Sequence, residues 1–236
     1  HSIVSSHMVY KTGAFDQFDS ILCVGPHHEQ EIRQWERLKN LPPKQLYQHG
    51  YGPLDLLMKQ ATNLGDTLLS KQISKRVLLA PSWGKDSILE RGSHILIQEI
   101  LEAGFHLTVR PHPQSRKLAP KILDAIKEKF SSNPNFDWEE NIKSHASFYA
   151  ANIMVSDWSG AALEFAFGLE RPVIFLDVPR KINNPEYDKI QAVPLEVLIR
   201  EQIGVVFLPD DTIGIINAIF EAIKNHTGFR DQARTA

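Results

Sequence analysis

The run Ser156-Asp157-Trp158-Ser159-Gly160-Ala161 joins a buried strand ending at Ile153 to Val155 to a helix over Ala161 to Phe167. Such a turn presents serine hydroxyls and unpaired backbone N–H groups at a helix N-terminus, where those donors and the helix dipole favour an anion. A phosphate is the fitting guest. The plainer alternative is a serine and aspartate cap of the kind any helix can carry. Two further turns hold reactive side chains. Ser82-Trp83-Gly84-Lys85 follows the apolar run VLLAP, and Arg110-Pro111-His112-Pro113 follows HLTV. Arginine grips phosphate with two parallel N–H donors, and lysine adds a point charge. Prolines on both sides stiffen the backbone at His112, whose ring can donate to a phosphate oxygen or a leaving group. The indoles of Trp83 and Trp158 can stack on a planar base or fill core. Together these residues suit a phosphorylated ligand that carries a base.

The elements that hold them alternate. The apolar pattern predicts strands over 20–24, 45–49, 77–81, 105–109, 153–155, 173–176 and 204–208. It predicts helices over 28–38, 53–68, 93–103, 119–129, 142–150, 161–167 and 212–224, with a loop or short edge strand in NPNFDWEE and a polar linker near 70–76. Strands spaced by such helices imply an α/β fold, a Rossmann-like parallel sheet with helices on both faces. In a parallel sheet the turns after 77–81, 105–109 and 153–155 leave one edge together, which is where open α/β sheets bind ligands.

A chain of 236 residues holds one α/β domain and a piece of another. The expected division is 9–75 as the end of a first lobe with its linker, and 76–236 as the nucleotide-binding domain. The first eight residues, HSIVSSHM, lack the charged and apolar regions of a signal peptide; they read as a vector scar and are set aside. The formal net charge of −2 offers no basic excess for nucleic acid. No apolar run reaches membrane-spanning length. The single cysteine, Cys23, excludes an internal disulfide and points to a reducing, cytoplasmic compartment. Its place in the run ILCV makes it a buried core thiol. His27 and His28, at the start of a polar helix, read as solvated. Histidines and carboxylates show no ligand spacing on one face, so neither a metal nor a cofactor is expected.

The order VLLAPSWG, VRPHP and VSDWSGAALEFAFGLERPVIF resembles the C-terminal domain of the CDP-glycerol glycerophosphotransferases of teichoic-acid synthesis. The likeness spans roughly residues 45 to 180. It rests on Ala80-Pro81-Ser82-Trp83, His112-Pro113, Asp157-Trp158-Ser159-Gly160, Glu164 and Arg171-Pro172-Val173, with His49-Gly50-Tyr51-Gly52-Pro53 upstream. The resemblance implies one lobe of a GT-B architecture, two Rossmann-like domains facing a cleft, in a chain of about twice this length. It implies a CDP- or UDP-linked donor, a polyol-phosphate or glycan acceptor, and contact with the inner membrane face through the other lobe. It assigns the diphosphate to Arg110, Ser159, Gly160 and Ala161, a donor role to His112, and the ribose or helix end to Glu164 or Asp177. Ser82, Trp83, Lys85, Asp157 and Trp158 complete the implied binding set. The sequence departs from the family where Trp158-Ser159-Gly160 replaces Tyr-Ser-Ser and where Pro53 replaces an arginine. Ser159-Gly160 before Glu164 is also similar to the turn of UDP-N-acetylglucosamine 2-epimerases. A sugar-nucleotide enzyme, and a lobe that binds nucleotide without turnover, therefore stay open beside the transferase.

Overall fold

A computed structural model of the chain describes residues 2–64, 75–141 and 144–235. A short helix α1 (Ser6–Val9) precedes a small unit, β1 (Ser20–Cys23), α2 (Pro26–Lys39) and β2 (Gln45–Gln48), whose two strands pair in parallel. Helix α3 (Gly52–Leu64) leads away from it. The main sheet follows as β3 (Arg76–Leu79), β4 (His106–Val109), β5 (Phe136–Trp138), β6 (Ile153–Ser156), β7 (Val173–Leu176) and β8 (Gly204–Phe207). All of its pairings are parallel, in the order β5-β4-β3-β6-β7-β8. The chain winds outward from β3 to one edge, returns to β6 beside β3, and winds out to the other edge. This is the doubly wound order of nucleotide-binding sheets, with its switch point between β3 and β6.

The strands are continuously apolar because both faces are covered. Val77 and Leu79 point to one face with Val109, Val155 and Ile174. There they meet α4 (His94–Glu102), α6 (Pro120–Phe130) and α10 (Thr212–Lys224) through Ile97, Ile100, Leu123, Ile126, Ile215 and Ile219. Leu78, one residue out of phase, points the other way with Met154, Val173 and Phe175. That face is covered by α3, α7 (Ala146–Ala150), α8 (Gly160–Leu169) and α9 (Leu195–Ile203). Helix α8 is apolar nearly all round because the sheet and α3 enclose it. Gly168 makes the α3 contact possible: a Cβ there would lie 2.6 Å from Leu57 Cδ2.

Several elements differ from the sequence reading. His112 keeps its extended backbone, but Pro113 opens a short helix, α5 (Pro113–Leu118), because proline suits a first helical turn. The helix expected over 142–150 starts at Ala146; residues 144 and 145 precede it, and 142 and 143 lie outside the described residues. Helix α3 ends at Leu64, so the expected residues 65–68, like most of the linker, also lie outside. Helix α9 and the C-terminal α11 (His226–Thr235) were not anticipated.

The N-terminal residues set aside as a scar are built into the fold. Ile3 and Val4 join the core beside α8, and Met8 is 1% exposed. Ser5 donates from its N–H (2.8 Å) and hydroxyl (2.7 Å) to Glu196. Ser6 does the same to Glu31, both at 2.6 Å, and His7 Nδ1 lies 3.1 Å from the same carboxylate. His27 and His28 are not solvated: their Nε2 atoms lie 3.1 Å from the Ile3 carbonyl and 2.9 Å from the Val4 carbonyl. Neighbouring histidines in a polar helix carry no sign of the N-terminal residues lying over them. Cys23 is buried, as expected.

Candidate functional site

At the switch point, beyond the carboxyl ends of β3, β4 and β6, lies a cleft of about 350 Å³. Its walls come from turns far apart in sequence. Ala80 and Pro81 follow β3, Arg110 to Pro113 follow β4, and Ser159, Gly160, Ala161 and Glu164 open α8. Ser2, His145 and Phe148 complete the lining. Six residues of the sequence-derived set thus meet here: Arg110, His112, Ser159, Gly160, Ala161 and Glu164.

Each is held by its own local chemistry. Ser159 is the N-cap of α8, and its Oγ accepts from the Ala161 N–H at 3.4 Å. Arg110 donates to Glu139 at 2.9 Å and to the Ser144 carbonyl at 2.7 Å, and its guanidinium lies 5.2 Å from the centre of the Phe148 ring. It is a fixed, already paired cation. His112 Nδ1 accepts from the Gln114 N–H at 3.1 Å and so caps α5. That acceptor role puts the proton of the neutral ring on Nε2. Burial, helped by the charge of Lys181, pulls the His112 pKa down to about 4, so near neutral pH the ring is a neutral donor. Glu164 Oε1 accepts from the Tyr51 hydroxyl at 2.5 Å.

The other members of the set stand outside the cleft. Asp157 is 1% exposed and braces two loops, accepting from the Ser82 N–H at 2.6 Å and the Ile88 N–H at 3.3 Å. Burial raises its pKa against those bonds. Ser82 is buried in the same brace, and Lys85 is exposed on the loop beyond it. Trp158 fills core: its Nε1 donates to the Val178 carbonyl at 2.7 Å and the Arg200 guanidinium stacks 3.9 Å from its ring centre. Asp177 pairs with Arg200 at 3.0 Å. Trp83 lies beside His112, with ring centres 6.0 Å apart, and carries Lys181 Nζ on its face.

Sequence reasoning missed Lys181, which reaches the face of Trp83, beside the cleft, from the turn after β7. The signal was available, since β7 is parallel to β6 and its following turn leaves the same sheet edge. Burial brings Lys181 down to about 8, although Asp157 and Glu90 hold it up. His145 and Phe148 were missed because only the fold brings α7 under the β4 turn. Among the described residues no cluster of histidine, cysteine and carboxylate side chains could hold a metal ion.

A family model of CDP-glycerol:poly(glycerophosphate) glycerophosphotransferases matches residues 15–181, well over half of the chain. The chain belongs to this family. No curated protein sequence matches it. Among solved structures, the UDP-GlcNAc 2-epimerase of Methanocaldococcus jannaschii, crystallised with UDP-GlcNAc and UDP, superposes with a TM-score of 0.52 at 14% identity over 88% of this chain. The Neisseria meningitidis UDP-GlcNAc 2-epimerase, bound to UDP-GlcNAc, gives 0.48 at 20% identity over 86% of this chain and 53% of its own. A glycosyltransferase of Rickettsia africae gives 0.49 at 11% identity over 98% of this chain and 65% of its own. At these identities the likeness is one of fold, carried by the first match. The chain spans 55% of that epimerase's length.

Proposed function

We propose that the cleft binds the diphosphate of a nucleotide-linked donor, and that the whole protein transfers a glycerol-phosphate or related polyol-phosphate group from a CDP-linked donor to an acceptor hydroxyl. The observation that carries this reading is convergence. The N-terminus of α8, the Arg110 guanidinium and the His112 ring come from separate turns and line one cleft. Family membership supports glycerol phosphate as the transferred group and CDP as its carrier. In the reaction the acceptor oxygen attacks the β-phosphorus and loses its proton to water. The bond from that phosphorus to the bridging oxygen breaks, and CMP leaves with that oxygen. The N–H groups of Gly160 and Ala161, the Ser159 hydroxyl and Arg110 offset charge on the phosphates, and His112 Nε2–H donates to a phosphate or leaving oxygen. Catalysis is positioning and charge neutralisation, as in other phosphoryl transfers. Glu164 meets the ribose hydroxyls. The chemistry needs no cofactor from this chain. The acceptor is a polyol phosphate or glycan, met on the cytoplasmic side of the membrane; among the described residues no helix is long and apolar enough to cross one.

A sugar-nucleotide activity, epimerase or glycosyltransferase, is the second reading. The Ser159-Gly160 turn with Glu164 in the same cleft, on a fold shared with a UDP-GlcNAc 2-epimerase, favours it. Thermal shifts with CMP, CDP, UDP, CDP-glycerol and UDP-N-acetylglucosamine separate the two, because a ligand that binds only the folded state raises its apparent stability. The largest shift with CDP-glycerol is expected; the largest with UDP-N-acetylglucosamine would move the assignment. A nucleotide shift without turnover in the whole protein would leave a binding lobe.

A further inference from the structure

Tyr51 belongs to no strand or helix. It sits in the passage from β2 to α3, and its hydroxyl reaches Glu164 of α8 at 2.5 Å. The contact joins residues 113 apart in sequence. It is rigidly backed. Leu54 and Leu57, on the first turns of α3, close over Gly168 one turn further along α8. The phenol keeps its proton, since burial and the neighbouring carboxylate both raise its pKa. Tyr51 is therefore a donor to one oxygen, Oε1, of a carboxylate that lines the cleft. A carboxylate holds about four acceptor positions on two oxygens, so the bond fixes the Glu164 side chain without using it up.

We infer that Tyr51 is a positioning residue for ligand selectivity: it locks the Glu164 carboxylate so that this group reads a vicinal diol, the ribose of the nucleotide, and rejects its deoxy counterpart. This rests on the diphosphate reading of the cleft. An unlocked glutamate rotates among several staggered states, and each hydrogen bond it makes then costs ordering entropy. A site built to bond a hydroxyl also discriminates strongly against ligands that lack it, because its polar group is left unpaired.

The test is calorimetry on the chain as it stands, with CDP, 2′-deoxy-CDP, UDP and 2′-deoxy-UDP, for the wild type, Tyr51→Phe and Glu164→Gln. The wild type should prefer the ribonucleotide of whichever base it binds by about tenfold. Tyr51→Phe should lose most of that preference by weakening the ribonucleotide alone, while the deoxynucleotide affinity and the melting temperature stay close to wild type. Glu164→Gln should lose the preference altogether. Equal weakening of both nucleotides in Tyr51→Phe, or an unchanged preference, overturns the inference, as does a wild type that does not distinguish the pair. A wild type that binds none of the four overturns the diphosphate reading as well. If Tyr51→Phe melts well below the wild type, Tyr51→His, which keeps a ring donor, must restore both melting and preference; otherwise the contact only ties α3 to α8.

Discussion

The main sheet and the β1–α2–β2 unit are held by different means. The sheet buries apolar side chains on both faces, with Phe105, Phe165 and Phe175 at 0–1% exposure. The small unit leaves Leu22 and Tyr47 of its strands more than half exposed. It joins the rest through polar groups. Glu31, Glu36, Lys44, His7, His28 and Glu196 are all at most 6% exposed: Glu36 accepts from the Lys44 N–H, Lys44 donates to the Phe18 carbonyl, and Glu31, His28 and Glu196 hold the threaded residues 4–6. Apolar contacts are non-directional and add up in small steps. Buried polar contacts demand one geometry, and a partner left alone costs more than the pair gained. The sheet should therefore fail by overpacking, and the small unit by the loss of single partners.

The largest effect is expected at Gly204, where β8 begins. Its φ is extended, so any residue could adopt it, but a Cβ would lie 2.1 Å from the Val173 carbonyl oxygen. Gly204→Ala should cost about 3 kcal/mol, the upper range for overpacking, read as a fall in the urea midpoint with unchanged slope. A loss under about 1 kcal/mol would mean that the edge strand yields freely. Glu31→Ala should come next. Burial pushes the Glu31 carboxyl up, but the bonds from His7 and Ser6 outweigh it and hold it low. Removing it orphans the Ser6 N–H and hydroxyl and should cost about 2 kcal/mol. Hydrogen exchange should show the loss concentrated in residues 3–10 and α2, with the main sheet still protected. Uniform loss across the sheet would break the contrast between the two regions.

A smaller effect comes from pH. His112 titrates near 4 in the fold against an ordinary value of 6.5, so between those values the unfolded chain binds more protons. The contribution of the neutral ring is present above about pH 6.5 and is lost as pH falls toward 4, by roughly 1–2 kcal/mol. His112→Gln should flatten the stability curve in that window; a curve parallel to wild type would contradict the buried neutral ring. Smallest in stability is Ser159→Ala, about 1 kcal/mol for a lost cap. Its nucleotide affinity should fall by about 1–3 kcal/mol. A lower melting temperature with unchanged affinity would make Ser159 a cap and nothing more.

The contrast also explains what could be read in advance. The sheet was legible because unbroken runs such as Val77-Leu78-Leu79 and Val173 to Leu176 need burial on both faces, and the turns after them had to share an edge. Hence six cleft residues were named from sequence. The rest depended on partners that no local pattern reveals. Asp157 and Trp158 are as polar or as large as ligand-binding residues, and only the loop at Ser82 and the guanidinium of Arg200 turn them inward. The N-terminal residues carry small hydroxyls and histidines, which look solvated until Glu31 and Glu196 lie opposite. Lys181 and Tyr51 reach the site or its wall from outside the three turns that the spacing singled out.

The central claim is that the α8 turn, Arg110 and His112 form a site for two linked phosphates. Calorimetric titration of the chain with CDP and with CMP under one buffer and salt condition tests it most directly. The account predicts that CDP binds at least about tenfold tighter, a difference of about 1.4 kcal/mol, because the second phosphate reaches donors that the first cannot. Equal affinity for the two nucleotides would contradict it.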